Sequence, residues 1–192
     1  MKRRSLVLAL PLLIGACGYN TIQSMDERAK SAQQQIAVQL QRRAELVPNL
    51  VSTVKGFAAQ EAEIFETVAK ARTGLVGAVA GGNVQEMAAA NQTMSGALGR
   101  LIAISEAYPT LKSDQNFLRL QDELTGTENR IATSRTDYNQ AVQDYNAYIR
   151  RFPQVMTAKF TGAKPREYFD VTTPGAREAP TVDFSKKTPP TS

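Results

Sequence analysis

Glu45, Glu106 and Glu128 are the carboxylates that acid–base hydrolysis could use, and that chemistry needs two of them roughly 5–10 Å apart across an open cleft. Nothing in their spacing along the chain supplies such a pair. The chain of 192 residues has no histidine and one cysteine. Without histidine, Ser-His-Asp and Cys-His nucleophilic arrangements and histidine-rich zinc or di-iron sites are excluded. A lone cysteine excludes an internal disulfide, a CxxC redox pair and a thiolate metal cage. Glu61, Glu63 and Glu66 could suggest a hard-metal site, but residues two apart do not share a helix face, and a solvated acidic face fits better. No metal, nucleotide or redox cofactor is indicated.

The cysteine itself has a place in a recognisable segment. Lys2, Arg3 and Arg4 are followed by twelve uncharged residues, Ser5 to Ala16, too few for the roughly 20 that a spanning helix needs. Ile14-Gly15-Ala16-Cys17 then resembles the lipobox of bacterial lipoproteins, where the cysteine thiol takes a diacylglycerol and the signal is cut before it. Residues 1–16 read as that signal and Cys17 as the lipidated residue, anchoring the protein by lipid chains that gain about 0.8 kcal/mol per buried CH₂. Cleavage takes the formal charge from +5 to +2, because Lys2, Arg3 and Arg4 leave and no acid goes with them. A mature charge of +2 is no nucleic-acid footprint. Gly18, not aspartate, follows Cys17, which by resemblance to lipoprotein sorting rules leans towards an outer membrane in a Gram-negative host.

From Tyr19 to Phe152 the pattern is helical nearly throughout, interrupted by Pro48, Pro109, Pro153 and Gly81-Gly82-Asn83. These breaks define segments of about 20–46, 49–80, 83–107 and 112–152, with a tight turn at Val47-Pro48-Asn49 and a continuous helix through Pro48 as the alternative. Phe117, Leu124, Ile131, Tyr138, Tyr145 and Phe152 recur every seventh residue, as do Ile22, Ala29 and Ile36 in the first segment. One apolar stripe per segment and short connections predict an all-α fold, an antiparallel up-and-down four-helix bundle over residues 17–160. Residues 161–192 carry five prolines among Thr and Ser and read as an extended tail partly pinned to the bundle.

Four blocks then resemble the LemA family. They are the run Leu40 to Val51 with Val54-Lys55-Gly56; Glu106 to Lys112; Asn116-Phe117 with Leu120-Gln121 and Leu124; and Thr127 to Ile131. Arg135, Tyr138-Asn139, Tyr145-Asn146 and Phe152-Pro153 complete the match over about residues 19–184. The resemblance implies a membrane-associated bacterial helical bundle, held by its N-terminus with its helices outside the cytoplasm; it implies no agreed activity. Many members are similar to proteins with a transmembrane N-terminal helix, from which the lipobox here departs.

Within the motifs, Arg42 and Arg43 read as charges complementing the C-terminus of the first helix, or as a site for an anionic partner. Arg42, Arg43, Asn49, Lys55, Tyr108 and Lys112 form the candidate binding surface, brought together if the Pro48 and Pro109 turns close the same end about 40 Å from the anchor. Gln121, Glu128, Arg135, Asn139 and Asn146 form a candidate structural polar network, with Glu128 and Arg135 meeting groups on neighbouring helices such as Arg42, Glu106 or Lys112. The expected function is a non-catalytic binding or scaffold module of the cell envelope, engaging an envelope protein or the cell wall. A carboxylate-based hydrolase and an oligomerising bundle are the rivals.

Overall fold

The computed structural model describes the backbone of residues 2–170 and side chains from Gly18 onward. The lipidation of Cys17, the signal side chains and the tail beyond 170 lie outside the described residues. The described chain is all-α and has no strand. Its helices are α1 (Lys2–Lys55), α2 (Ala62–Gly81), α3 (Val84–Ala103), a 3₁₀ turn (Ile104–Glu106), α4 (Pro109–Lys112), α5 (Gln115–Arg150) and α6 (Gln154–Thr161).

Two long antiparallel helices, α1 and α5, form the spine. Ile22 meets Tyr145 and Ile149 at one end, called the base here, and Arg43 meets Glu128 further along. From Gly18 to Lys55 the spine rises about 55 Å. The α2–α3 hairpin covers only its upper part. That hairpin turns at Gly82, a left-handed residue at φ 70° that favours glycine, and Gln33 of α1 donates to the Gly82 carbonyl at 2.8 Å. Asn83 then caps α3, its side chain accepting from the Gln85 and Glu86 amides. Below this level the spine is covered by α6 and by residues 163–170 in extended form. The bundle has four helices in its upper half and a two-helix spine with a wrapped tail in its lower half.

The predicted turn at Pro48 is corrected: α1 runs through it to Lys55, and the turn falls at 56–61. Proline in a helix interior costs about 3 kcal/mol and removes one backbone hydrogen bond. Val47, Leu50 and Val54 are fully buried on the α1 stripe, and each such side chain contributes roughly 1.5–3 kcal/mol by leaving water. Burial outweighs propensity. The lost bond is replaced as well. Residue 48 would have donated to the Ala44 carbonyl, and Arg72 Nε of α2 donates there instead at 2.9 Å.

A double-mutant cycle tests this substitution of donors. Arg72→Ala is expected to cost about 1–2 kcal/mol in the native chain. In a Pro48→Ala background the new amide takes the carbonyl, and the cost of Arg72→Ala should fall below about 0.5 kcal/mol. Equal costs in the two backgrounds, read from denaturant unfolding, would separate Arg72 from Pro48.

The heptad stripe of α5 is buried from Phe117 to Tyr145, but Phe152 is 83% exposed. The helix ends at Arg150, two residues short of it, because residue 152 precedes a proline and is driven out of the α region.

Candidate functional site

The motif residues separate into three places. The first is the tip, where α1 ends and the 3₁₀ turn leads into α4. Lys55 closes α1 and lies 5.2 Å from the centre of the Phe65 ring, a cation–π contact that also complements the helix C-terminus. The half-buried Tyr108 accepts a hydrogen bond from Gln60 and donates to Glu61 at 3.4 Å. Lys112 pairs with Glu106 at 2.7 Å, both side chains exposed. Tyr108 thus ties the loop after α1 to the start of α4. Asn49 is exposed on α1 a turn and a half below the helix end.

The second place is some 20 Å below the tip, twelve residues before the end of α1. Arg42 is exposed there, and Arg43 is 3% exposed. Both earlier readings of Arg43, helix-end charge and binding surface, are corrected. Its guanidinium is engaged inside the bundle: Nη1 donates to Asn91 at 2.6 Å and Nη2 to Glu128 at 2.6 Å. Burial pushes the Arg43 pKa down and Glu128 opposes that shift. Nε is buried without a hydrogen-bond partner. The correction has a signal in the sequence, since residue 43 continues the heptad of Ile22, Ala29 and Ile36 on to Leu50. An arginine at an inward position seeks acceptors on neighbouring helices. Glu128 therefore does reach across, but to Arg43 rather than to Arg42, Glu106 or Lys112.

Arg43 also lines a cleft of about 270 Å³ between α3 and α5, with Leu98, Gly99, Ile102 and Leu124 among its walls. A side chain at Gly99 would meet nothing within 4 Å, so its absence helps keep the cleft open. Gln121 lines the same cleft, while Arg135 is exposed lower on α5.

The third place is the lower half of α5. Asn146 donates to the Arg166 carbonyl at 2.9 Å and accepts from the Arg166 amide at 2.8 Å. Asn139 does the same with Phe169, at 3.2 and 2.8 Å. Each side-chain amide pairs with one tail residue as a neighbouring peptide would. The spacing explains the repeat. Seven helical residues rise about 10.5 Å and three extended residues span about 10 Å, so Asn146 and Asn139 meet residues 166 and 169 in register. Between them Tyr138 donates to the Glu167 carbonyl at 2.8 Å, and burial raises its pKa, keeping the phenol a donor. Arg166 adds a two-pronged pair to Asp26 of α1, at 2.7 and 2.9 Å. Phe169 enters the core. These asparagines hold the tail and do not join Glu128 in one network.

The carboxylates considered for hydrolysis are dispersed. Glu45 accepts from Gln41 on the outside of α1 at 3.1 Å, Glu106 faces Lys112 at the tip, and Glu128 faces Arg43.

Comparison with known proteins adds identity to this geometry. The model of the LemA family matches residues 32–184. Magnetosome proteins MamQ 1 and MamQ 2 of Paramagnetospirillum magneticum are each 33% identical over 174 residues. Magnetosome protein MamQ of Magnetospirillum gryphiswaldense is 32% identical over the same length. The alignments cover 79% of this chain and 64% of each relative, so the chain spans under two thirds of the curated relatives it matches.

Proposed function

This chain belongs to the LemA family, and from that premise we propose that it is a lipid-anchored envelope protein acting as a non-catalytic binding module through its tip. Anchoring rests on Lys2 to Arg4, the apolar segment to Ala16, and Cys17; among the described residues no helix is long and apolar enough to cross a membrane. The observation that carries the binding role is the convergence of Lys55, Tyr108 and Lys112 at the end of the spine opposite Gly18. The hydrogen bonds of Tyr108 to Gln60 and Glu61 tie the turn at 56–61 to the start of α4, an arrangement that lowers the ordering cost of binding a partner there. With about 55 Å of spine between Gly18 and Lys55, the tip is carried away from the bilayer towards an envelope protein or the cell wall. The paired surroundings of Glu45, Glu106 and Glu128 favour binding over hydrolysis.

The test is in-cell crosslinking followed by purification, comparing the native chain with Lys55→Glu/Lys112→Glu after circular dichroism has matched their folds. The expected result is a specific envelope partner recovered with the native chain and lost with the charge-reversed one. Recovery of the same partner by both variants would remove the tip from the proposal.

A further inference from the structure

The described structure also has a face with its apolar residues turned the wrong way for water. On α6, Ala158 is the buried residue, packed with Ile22, Tyr145 and Ile149. The large apolar side chains point outward: Met156 is 63% exposed, Phe160 is 94% exposed, and Phe152 at the entry to the helix is 83% exposed. Met156 and Phe160 are four apart and share one face. A surface helix of a water-soluble bundle has the opposite arrangement.

The charge around this face is of one sign. Arg150, Arg151, Lys159 and Lys164 are exposed, and no acidic residue occurs between Asp144 and Glu167. On α1, the first acid after Gly18 is Asp26, which is engaged by Arg166. Apolar bodies ringed by cations suit the boundary between acyl chains and anionic headgroups.

Position supplies the third observation. The helix packs on α1 at Gly18, where an added Cβ would stand 3.5 Å from Thr157 Oγ1 and 3.8 Å from Gln154 Cγ. Gly18 follows Cys17 directly. We propose that α6 with Phe152 is a membrane-seating foot, its Phe152, Met156 and Phe160 entering the anionic bilayer that holds the N-terminus. The inference rests on the anchoring reading above. A lipid alone would tether the bundle loosely; a second contact beside the tether fixes the spine upright, with the tip outward. Tether and foot act together, because the tether keeps the foot at high local concentration over the bilayer.

The chain has no tryptophan, so Phe160→Trp installs a single indole in the foot, and Leu118→Trp places one near the tip at a residue that is 44% exposed. Each full-length variant, as processed by a bacterial expression host, is reconstituted into phosphatidylethanolamine/phosphatidylglycerol vesicles with brominated acyl chains, and flotation is measured with fluorescence. The expected result is that both variants float, that the indole at 160 is blue-shifted and quenched by bromine, and that the indole at 118 is not. Adding Arg150→Glu, Arg151→Glu and Lys159→Glu should abolish the quenching while flotation persists. If both float and the indole at 160 is no more quenched than that at 118, the foot is overturned and the anchor stands. A chain that fails to float overturns the anchor and the foot together. A blue shift without bromine quenching, accompanied by a dimer in light scattering, would assign the face to a second copy and overturn the foot.

Discussion

Arg43→Ala is expected to destabilise the protein by about 2–4 kcal/mol, the range for truncating a large buried side chain and leaving one acceptor unpaired. The arginine is almost wholly inside, and its two hydrogen bonds join three helices: α1 through itself, α3 through Asn91 and α5 through Glu128. Truncation leaves a cavity next to the α3–α5 cleft and strips Asn91 of its donor. Arg43→Met should behave differently. It fills most of the volume without a buried charge, and Glu128, whose side chain is 51% exposed, can turn to water; the expected loss is under about 1 kcal/mol. Urea unfolding with a common m-value checks the pair of variants. Equal losses for Ala and Met would mean that the charge, not the volume, holds the helices, and a loss under about 1 kcal/mol for Arg43→Ala would deny the residue a structural role.

Asn139→Ala/Asn146→Ala is expected to release the segment that α5 holds. Four hydrogen bonds to the tail backbone are lost, each contributing about 1 kcal/mol. Once they are gone, Phe169 no longer has a fixed path into the core. Hydrogen exchange of the 166–170 amides should accelerate by about a hundredfold or more, and trypsin should cut after Arg166, the Lys164-Pro165 bond being resistant to it, while the α1–α5 spine stays protected. Asn139→Asp/Asn146→Asp sharpens the test. Aspartate keeps the acceptor but loses the donor and faces a carbonyl, so it too should free the tail. Unchanged exchange in both variants would mean that Asp26–Arg166 and Phe169 hold the segment alone.

The features that depart from the local sequence pattern share one cause: partners distant in the chain. Pro48 carries a strong local signal for a break, and the signal is overruled by Val47, Leu50 and Val54 buried on either side of it and by Arg72 bonding the orphaned Ala44 carbonyl. The helices that pack on those side chains and the donor to that carbonyl come from elsewhere in the chain. Arg43 was legible to a stricter use of the heptad, since position 43 lies midway between Ile36 and Leu50; its partners Asn91 and Glu128 were not. Asn139 and Asn146 stood out by their repeat, yet what they bond is 20–30 residues away in a segment without periodicity. The role of Arg72 has no local signal, whereas Met156 and Phe160 at a four-residue spacing beside an acid-free basic run mark the outward face of α6 in the sequence.

Local sequence determined that this chain is helical, where the glycine turn at 82 and the proline boundary at 109 fall, and which stripe of α5 faces inward as far as Tyr145. Those features follow from backbone sterics and from apolar spacing matched to the helical turn, both written within a few residues. Tertiary structure alone decided that α1 passes through Pro48, that Arg43 lies inside, and that the tail completes the lower half of the bundle. Each of those outcomes is a competition between a local cost and burial or hydrogen bonding supplied by residues distant in the chain, and the winner is set only when the helices have packed.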